Sequence, residues 1–184
     1  MSVFTKFAIL SLLILSLNLP VKADLKIRAE KGDPQAQLEL GSKYFLGDGV
    51  PKNFVEAAKW LRKASDQGDA SAQCLLGRLY DKGEGVPMDY MEALKLYRKA
   101  ADQGNANAQL VVGTAYLTGK TVEKDLVEGY AYFCLASISW EDARKVLTQI
   151  EEGKILSPEQ IAAGQNRAKE LQAEIEKRQR NRLR

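Results

Sequence analysis

Gly32, Gly68 and Gly104 stand 36 residues apart, and the residues around them keep the same interval. Ala36/Ala72/Ala108, Gly41/Gly77/Gly113, Tyr44/Tyr80/Tyr116, Gly47/Gly83/Gly119, Val50/Val86/Val122 and Ala64/Ala100/Ala136 all recur in step. A chain with this period stacks one supersecondary unit on the next, because a single unit cannot bury its apolar face alone. Such a repeat makes an extended surface and supplies no chemistry of its own.

Each unit reads as two helices. Asp33 caps the first, and Pro34 takes the first helical position, where its missing N–H costs nothing. Ala36, Leu40, Gly41 and Tyr44 follow at helical spacing. Gly41 gives up about 1 kcal/mol of helix propensity against alanine. Its return at Gly77 and Gly113 predicts a neighbouring helix too close for a Cβ. The stretch from Gly47 to Asn53 is a loop by composition. Asn53 and Glu56 then form a capping box for the second helix, repeated as Asp89/Glu92 and Asp125/Glu128. Ala57, Trp60, Leu61 and Ala64 carry the apolar stripe to Gln67-Gly68, where the glycine takes a left-handed position past the helix end. The units run over 32–67, 68–103 and 104–139.

The third unit drifts. Thr121 stands for Gly49/Gly85, Glu123 for Pro51/Pro87, and Trp140 where a fourth glycine is due. Residues 140–176 read as capping helices. One starts at Ser139 and Asp142 and covers Ala143, Val146, Leu147 and Ile150. The other starts at a capping box over Ser157–Gln160 and carries Ile161, Ala168, Leu171 and Ile175. A basic tail, 177–184, holds Lys177, Arg178, Arg180, Arg182 and Arg184. At the other end, 24–31 form a helical remnant that closes the first unit. The fold class expected is all-α: an alpha-alpha superhelix, or solenoid, with a C-terminal cap.

Residues 1–23 read as a signal peptide. Lys6 supplies the basic start, Phe7 to Leu19 the apolar run, and Val21-Lys22-Ala23 a small-residue site for cleavage before Asp24. The competing reading, a membrane anchor, needs about 20 apolar residues, and this run is shorter. A lipoprotein would need a cysteine here. The location expected is periplasmic, or secreted. Export permits oxidation of Cys74 and Cys134, yet they are 60 residues apart, off the repeat interval. A Cys74–Cys134 disulfide and two isolated thiols both stand as readings.

The run Ala36-x-x-x-Leu40-Gly41-x-x-Tyr44-x-x-Gly47-x-Gly49-Val50-Pro51, then Ala57-x-x-Trp60-x-x-Lys63-Ala64-x-x-x-Gly68, closely resembles Sel1-like repeats. These are a subclass of the tetratricopeptide-like helical-pair solenoids. The second copy spans Ala72 to Gly104, and the third matches through Ala108, Gly113, Tyr116, Gly119, Val122 and Asp125 before weakening. The resemblance covers about residues 30–139 and implies a scaffold that holds other proteins. It also implies a right-handed superhelix with the first helix of each pair on the concave side. Bacterial members of this family are often exported and take part in envelope assembly, signalling or host interaction.

The remaining residues offer little chemistry. The chain has no histidine, which removes the commonest general base and most catalytic zinc sites. It has no Ser-x-x-Lys, Ser-Asp-Asn or Lys-Thr-Gly. Gly47-x-Gly49 lacks the Lys-Ser/Thr pair and the preceding strand of a phosphate loop. No enzyme, cofactor or metal is expected. Tyr44/Tyr80/Tyr116 and the aromatics Trp60, Tyr97, Tyr132 and Phe133 recur at helix–helix positions and read as structural. Gln35/Ser71/Asn107 vary between units at one register and are the candidate partner surface, with Glu39/Leu76 and Lys43/Leu79 beside them. The tail reads as a solvated helix end favoured by its own macrodipole. Leu183 is the only apolar residue after Ile175, so a membrane-binding helix is poorly supported, and export argues against nucleic acid. The function expected is an exported, non-catalytic adaptor for an envelope or secreted protein or peptide. The alternative is a secreted host-interaction factor or a peptidoglycan- or glycan-binding module.

Overall fold

The computed structural model describes residues 24–153 and 155–182. The signal-peptide reading of 1–23, together with Leu183 and Arg184 of the tail, lies outside the described residues. All elements described are helices: α1 (24–30), α2 (Pro34–Leu46), α3 (Phe54–Asp66), α4 (Ala70–Lys82), α5 (Tyr90–Ala101), α6 (Ala106–Thr118), α7 (Leu126–Ser137), α8 (Glu141–Glu152) and α9 (Pro158–Arg182). The chain is an all-α helical-repeat superhelix. Helices α2/α3, α4/α5 and α6/α7 pair within units, while α3/α4 and α5/α6 pack unit on unit.

The pairs close on glycine. A Cβ at Gly41 would lie 2.8 Å from Leu61 Cγ, and one at Gly113 would lie 2.9 Å from the Phe133 ring and 3.1 Å from the Gly129 carbonyl. At Gly77 the neighbours are the Ala93 carbonyl at 3.2 Å and the Tyr97 ring at 3.3 Å. Behind these contacts Ala64, Ala100 and Ala136 are fully buried, 0 % exposed. Loops also touch across units. Gly85 has φ +72°, and a Cβ there would fall 2.3 Å from the backbone of Phe54. The loop of the second unit therefore lies directly on the start of α3.

Second helices start as expected at one end only. Asn53 Oδ1 accepts from the Val55 and Glu56 N–H groups, and Asp89 and Asp125 cap α5 and α7 alike. The return arm of the capping box is not made. The Asn53, Asp89 and Asp125 N–H groups donate instead to the carbonyls of Tyr44, Tyr80 and Tyr116, at 2.9, 3.0 and 3.1 Å. Those carbonyls belong to the last turn of the first helix, where no intrahelical donor remains. The loop folds back and satisfies both orphans at once. Glu56 is thereby released to accept from Trp60 Nε1, Glu92 to pair with Lys95, and Glu128 with Arg167.

The cap departs from expectation in two places. Helix α8 starts at Glu141 after Trp140, with no side-chain cap. Ser139 cannot serve, because its own N–H and that of Trp140 still bond the Ala136 carbonyl in the closing turn of α7. At α9 both arms of the Ser157/Gln160 box are present, at 2.9 and 3.3 Å. This helix lies along α7: Gly164 packs on Tyr130, and Ala168, Leu171 and Ile175 join the core formed by Ala101, Ala108 and Leu135.

The described part of the basic tail is exposed, as expected, but it stays helical and is not free of contacts. Helix α9 continues to Arg182 and docks on the turn between α5 and α6. Arg178 pairs with Asp102 at 2.7 Å, Gln179 donates to the Gln103 carbonyl at 3.2 Å, and Arg182 donates to Gln103 Oε1. The field that favours cations here includes that of α5, whose C-terminus ends at this turn.

Candidate functional site

Gln35, Ser71 and Asn107 are each the second residue of a first helix (α2, α4 and α6), and all three are exposed. The structure places them at one register on successive units. Their neighbours in the expected surface divide. Glu39 is exposed, but Leu76 and Leu79 are buried at 3 % and 0 % exposure. They pack with Ala57, Leu61 and Leu96, so both are core. Helical spacing alone does not separate the flank of an apolar stripe from its centre.

What fixes the register is a polar ladder that sequence reasoning passed over. Gln37, Gln73 and Gln109 are buried, and each donates its amide to a carbonyl of the preceding helix: Ala29 at 3.0 Å, Ser65 at 3.4 Å and Ala101 at 3.4 Å. Gln67 donates to Gln37 Oε1 at 2.8 Å and Gln103 to Gln73 Oε1 at 2.7 Å. Buried amides need such partners, so the ladder locks each first helix to the unit before it. The signal was present: 37/73/109 and 67/103 keep the 36-residue interval.

The tyrosines stitch units together. Tyr80 OH accepts from Arg62 and Tyr116 OH from Arg98, with the guanidinium 5.7 and 5.1 Å from the ring centres. Tyr116 also stacks on Tyr132, centroids 6.1 Å apart. Tyr44 packs beside Trp60 and Leu40. Trp60, Tyr97, Tyr132 and Phe133 are all buried, and burial raises the Tyr97 and Tyr132 hydroxyls well above the usual phenol range.

The first-helix surface changes character along the stack. On α2, Lys43 lies between Glu39 and Asp48, at 3.9 and 3.1 Å. On α4, Arg78 and Lys82 are exposed. On α6 there is no charged residue. The Thr114 and Thr118 hydroxyls there donate to carbonyls of their own helix, each at 2.8 Å. With Val111 they border a groove of about 280 Å³ that Asp81 and Lys120 close.

Cys74 and Cys134 are free thiols on α4 and α7, half-buried against one core cluster. Of the two readings of the cysteines, the structure carries isolated thiols and no bridge. Burial pushes both up to about 11, so neither is an activated nucleophile. Among the described residues no group of three or more His, Cys, Asp or Glu side chains is placed to hold a metal, and no helix is long and apolar enough to cross a membrane.

Three stacked helix pairs with exposed, unit-specific side chains at a fixed register define an α-solenoid of the protein-interaction kind. The chain belongs to the Sel1 repeat family, whose model matches residues 34–69, 70–105 and 106–138. Proteins built from these repeats are generally interaction scaffolds. Among solved structures, it is similar to a Sel1 repeat protein from Oxalobacter formigenes, at 38 % identity and TM-score 0.63, covering 69 % of this chain and 96 % of that one. A protective antigen of uropathogenic Escherichia coli with an SLR fold aligns at 33 % identity and TM-score 0.65, over 68 % of this chain and 27 % of that one. The cysteine-rich protein B of Helicobacter pylori aligns at 27 % identity and TM-score 0.55, over 69 % of this chain and 97 % of that one. A curated relative, the secretory immunoglobulin A-binding protein EsiB of Escherichia coli O6:H1, is 48 % identical over 40 residues. That match takes in 22 % of this chain, which spans only 8 % of the relative's length.

Proposed function

We propose that this chain is an exported, non-catalytic scaffold that holds a protein or peptide in the bacterial envelope. The observation that supports it most is the register of Gln35, Ser71 and Asn107. Three different side chains are exposed at one position of a stack that the glutamine ladder holds still. A fixed frame with variable side chains is what selective binding of another polypeptide requires. Residues 1–23 supply the reason to place it outside the cytoplasm.

The test is capture from envelope extracts, with and without crosslinking, by the native chain and by a variant carrying Gln35→Arg, Ser71→Arg and Asn107→Arg. Recovery of a specific protein by the native chain and its loss by the variant, at unchanged melting temperature, is expected. Capture that survives all three substitutions refutes this surface.

A second reading, a secreted host-directed factor, draws support from the relative whose name records binding of secretory immunoglobulin A. Fractionation separates the two. Protein confined to the periplasm, with no retention on peptidoglycan, counts against both host-directed secretion and glycan binding.

A further inference from the structure

Between the end of α7 and the outer side of α9 runs an apolar groove of about 500 Å³. Leu135 and Ile138 form one wall, Ala168 and Ala173 the other. Ile138 is 67 % exposed, so it continues the apolar lining of the groove out to its rim. Helix α9 turns Gln165, Lys169, Gln172 and Glu176 toward it. Their spacing of four, three and four residues keeps a stripe facing one neighbouring helix. Ala168 forms the buried floor, and the exposed Ala173 leaves room for a second backbone to come close.

The charges on this stripe are self-complementary. Lys169 makes no ion pair with any described residue. Glu176 accepts from Gln172 at 3.1 Å and lies 3.8 Å from Arg180 on its own helix. Two copies of the stripe in parallel would set lysine against lysine and glutamate against glutamate. Two copies in antiparallel, turned about an axis beside Gln172 and Ala173, set each Lys169 against the other's Glu176. The same register places Arg180 against the uncharged Gln165.

We infer that the groove is the interface of a homodimer, occupied by α9 of a second copy in antiparallel orientation about a two-fold axis. A two-fold contact uses one patch twice, and opposite charges at both ends of an uncharged centre suit that symmetry. Helix α9 has 25 residues, about 37 Å of length at 1.5 Å per residue, so two copies can run side by side over the whole stripe from Gln165 to Arg180. Gln35, Ser71 and Asn107 take no part in lining the groove, and the substitutions that test the two readings are different, so it stands or falls separately from the partner reading.

Sedimentation equilibrium of the purified chain at low salt tests it. The wild type is expected to dimerise, and Lys169→Glu or Glu176→Lys alone to weaken dimerisation by at least about tenfold through like-charge contacts at both ends. An equimolar mixture of the two variants should restore it, because opposite charges then meet again at both ends. The chain carrying both substitutions should self-associate like wild type, which also guards against a variant that merely misfolds. A wild type that stays monomeric over the whole concentration range, a dimer indifferent to either substitution, or a mixture no stronger than its components overturns the inference.

Discussion

At the scale of single residues, the packing glycines and the buried glutamines carry the argument, and they fail differently. Gly77→Leu pushes a side chain into the Ala93 carbonyl and the Tyr97 ring. Overpacking of this kind costs about 1–3 kcal/mol or more, whereas Lys82→Leu on the exposed end of the same helix should cost less than roughly 0.5 kcal/mol. Equal melting temperatures for the two variants would defeat the close-contact account. Gln73→Leu removes the acceptor of Gln103 and the donor to Ser65. Because it removes two hydrogen bonds of a buried side chain, each worth about 0.5–1.5 kcal/mol, it should lower the melting temperature, and an unchanged melting curve would show the ladder to be incidental. The thiols give a chemical test. Burial lifts Cys74 and Cys134 from an ordinary 9.0 to about 11, and a raised thiol pKa means less thiolate at a given pH. At pH 8 the native chain should alkylate on the order of 100-fold more slowly than the same chain in denaturant. No reaction in denaturant without reductant would instead reveal a bridge. The glycines were legible because a mid-helix glycine at a strict interval has few other uses. The glutamines keep the same interval, but a polar residue beside an apolar stripe reads as exposed. Their burial depends on an amide thirty positions away, which helical spacing does not display.

At the scale of elements, the paired helices were legible from their caps and the closing helices from their apolar positions, but the path of the last one was not. The caps are local: Asp33, Asn53 and Asp89 each bond the N–H groups two or three residues on. Where α9 lies is decided by surfaces far away in sequence. Its apolar positions predicted a lid over the third unit, and they do cover α7 of that unit; what helical spacing did not show is that they also reach the turn at Asp102–Gly104. The terminal charges read as a solvated end because Asp102, the acidic partner of Arg178, sits in another unit. That docking makes the tail a modest contributor. The Arg178–Asp102 pair is roughly half exposed on both sides, a setting in which ion pairs contribute about 0–1 kcal/mol. Truncation after Glu176 should therefore lower stability by about 1 kcal/mol, once the lost hydrogen bonds to Gln103 are included. Arg178→Ala should reproduce part of that loss at low salt and little of it at high salt, where exposed pairs are screened. Melting curves of the truncated chain that overlay wild type at every salt concentration would return the tail to a solvated end.

At the scale of the whole molecule, stability in a short solenoid is a sum over neighbours, so the ends matter more than the middle. The first end is covered by α1, whose Leu25 and Ala29 pack with Ala36, Leu40 and Trp60. The last is covered by α8 and α9, through Tyr130, Ile150 and Leu156 on one side of α7 and Ala168, Leu171 and Ile175 on the other. Between the two ends, the third unit is the one least able to stand alone. Helix α6 carries no charge and α7 carries only Glu128, so without its cover this unit presents apolar surface on both helices. Glu128 is itself held by Arg167 of α9 at 2.9 Å. Removing residues 149–184 would expose Tyr130, Leu135 and the core face of α7 together and leave that carboxylate without its partner. The chain truncated after Thr148 should therefore aggregate or melt in a broad transition well below wild type, while truncation after Glu176 keeps one sharp transition. The comparison separates cover from tail, because both variants lose the contacts to Gln103 and only one loses the helix over α7. A chain ending at Thr148 that melts as sharply and as high as wild type would show that three units hold themselves, with α8 and α9 free for another task.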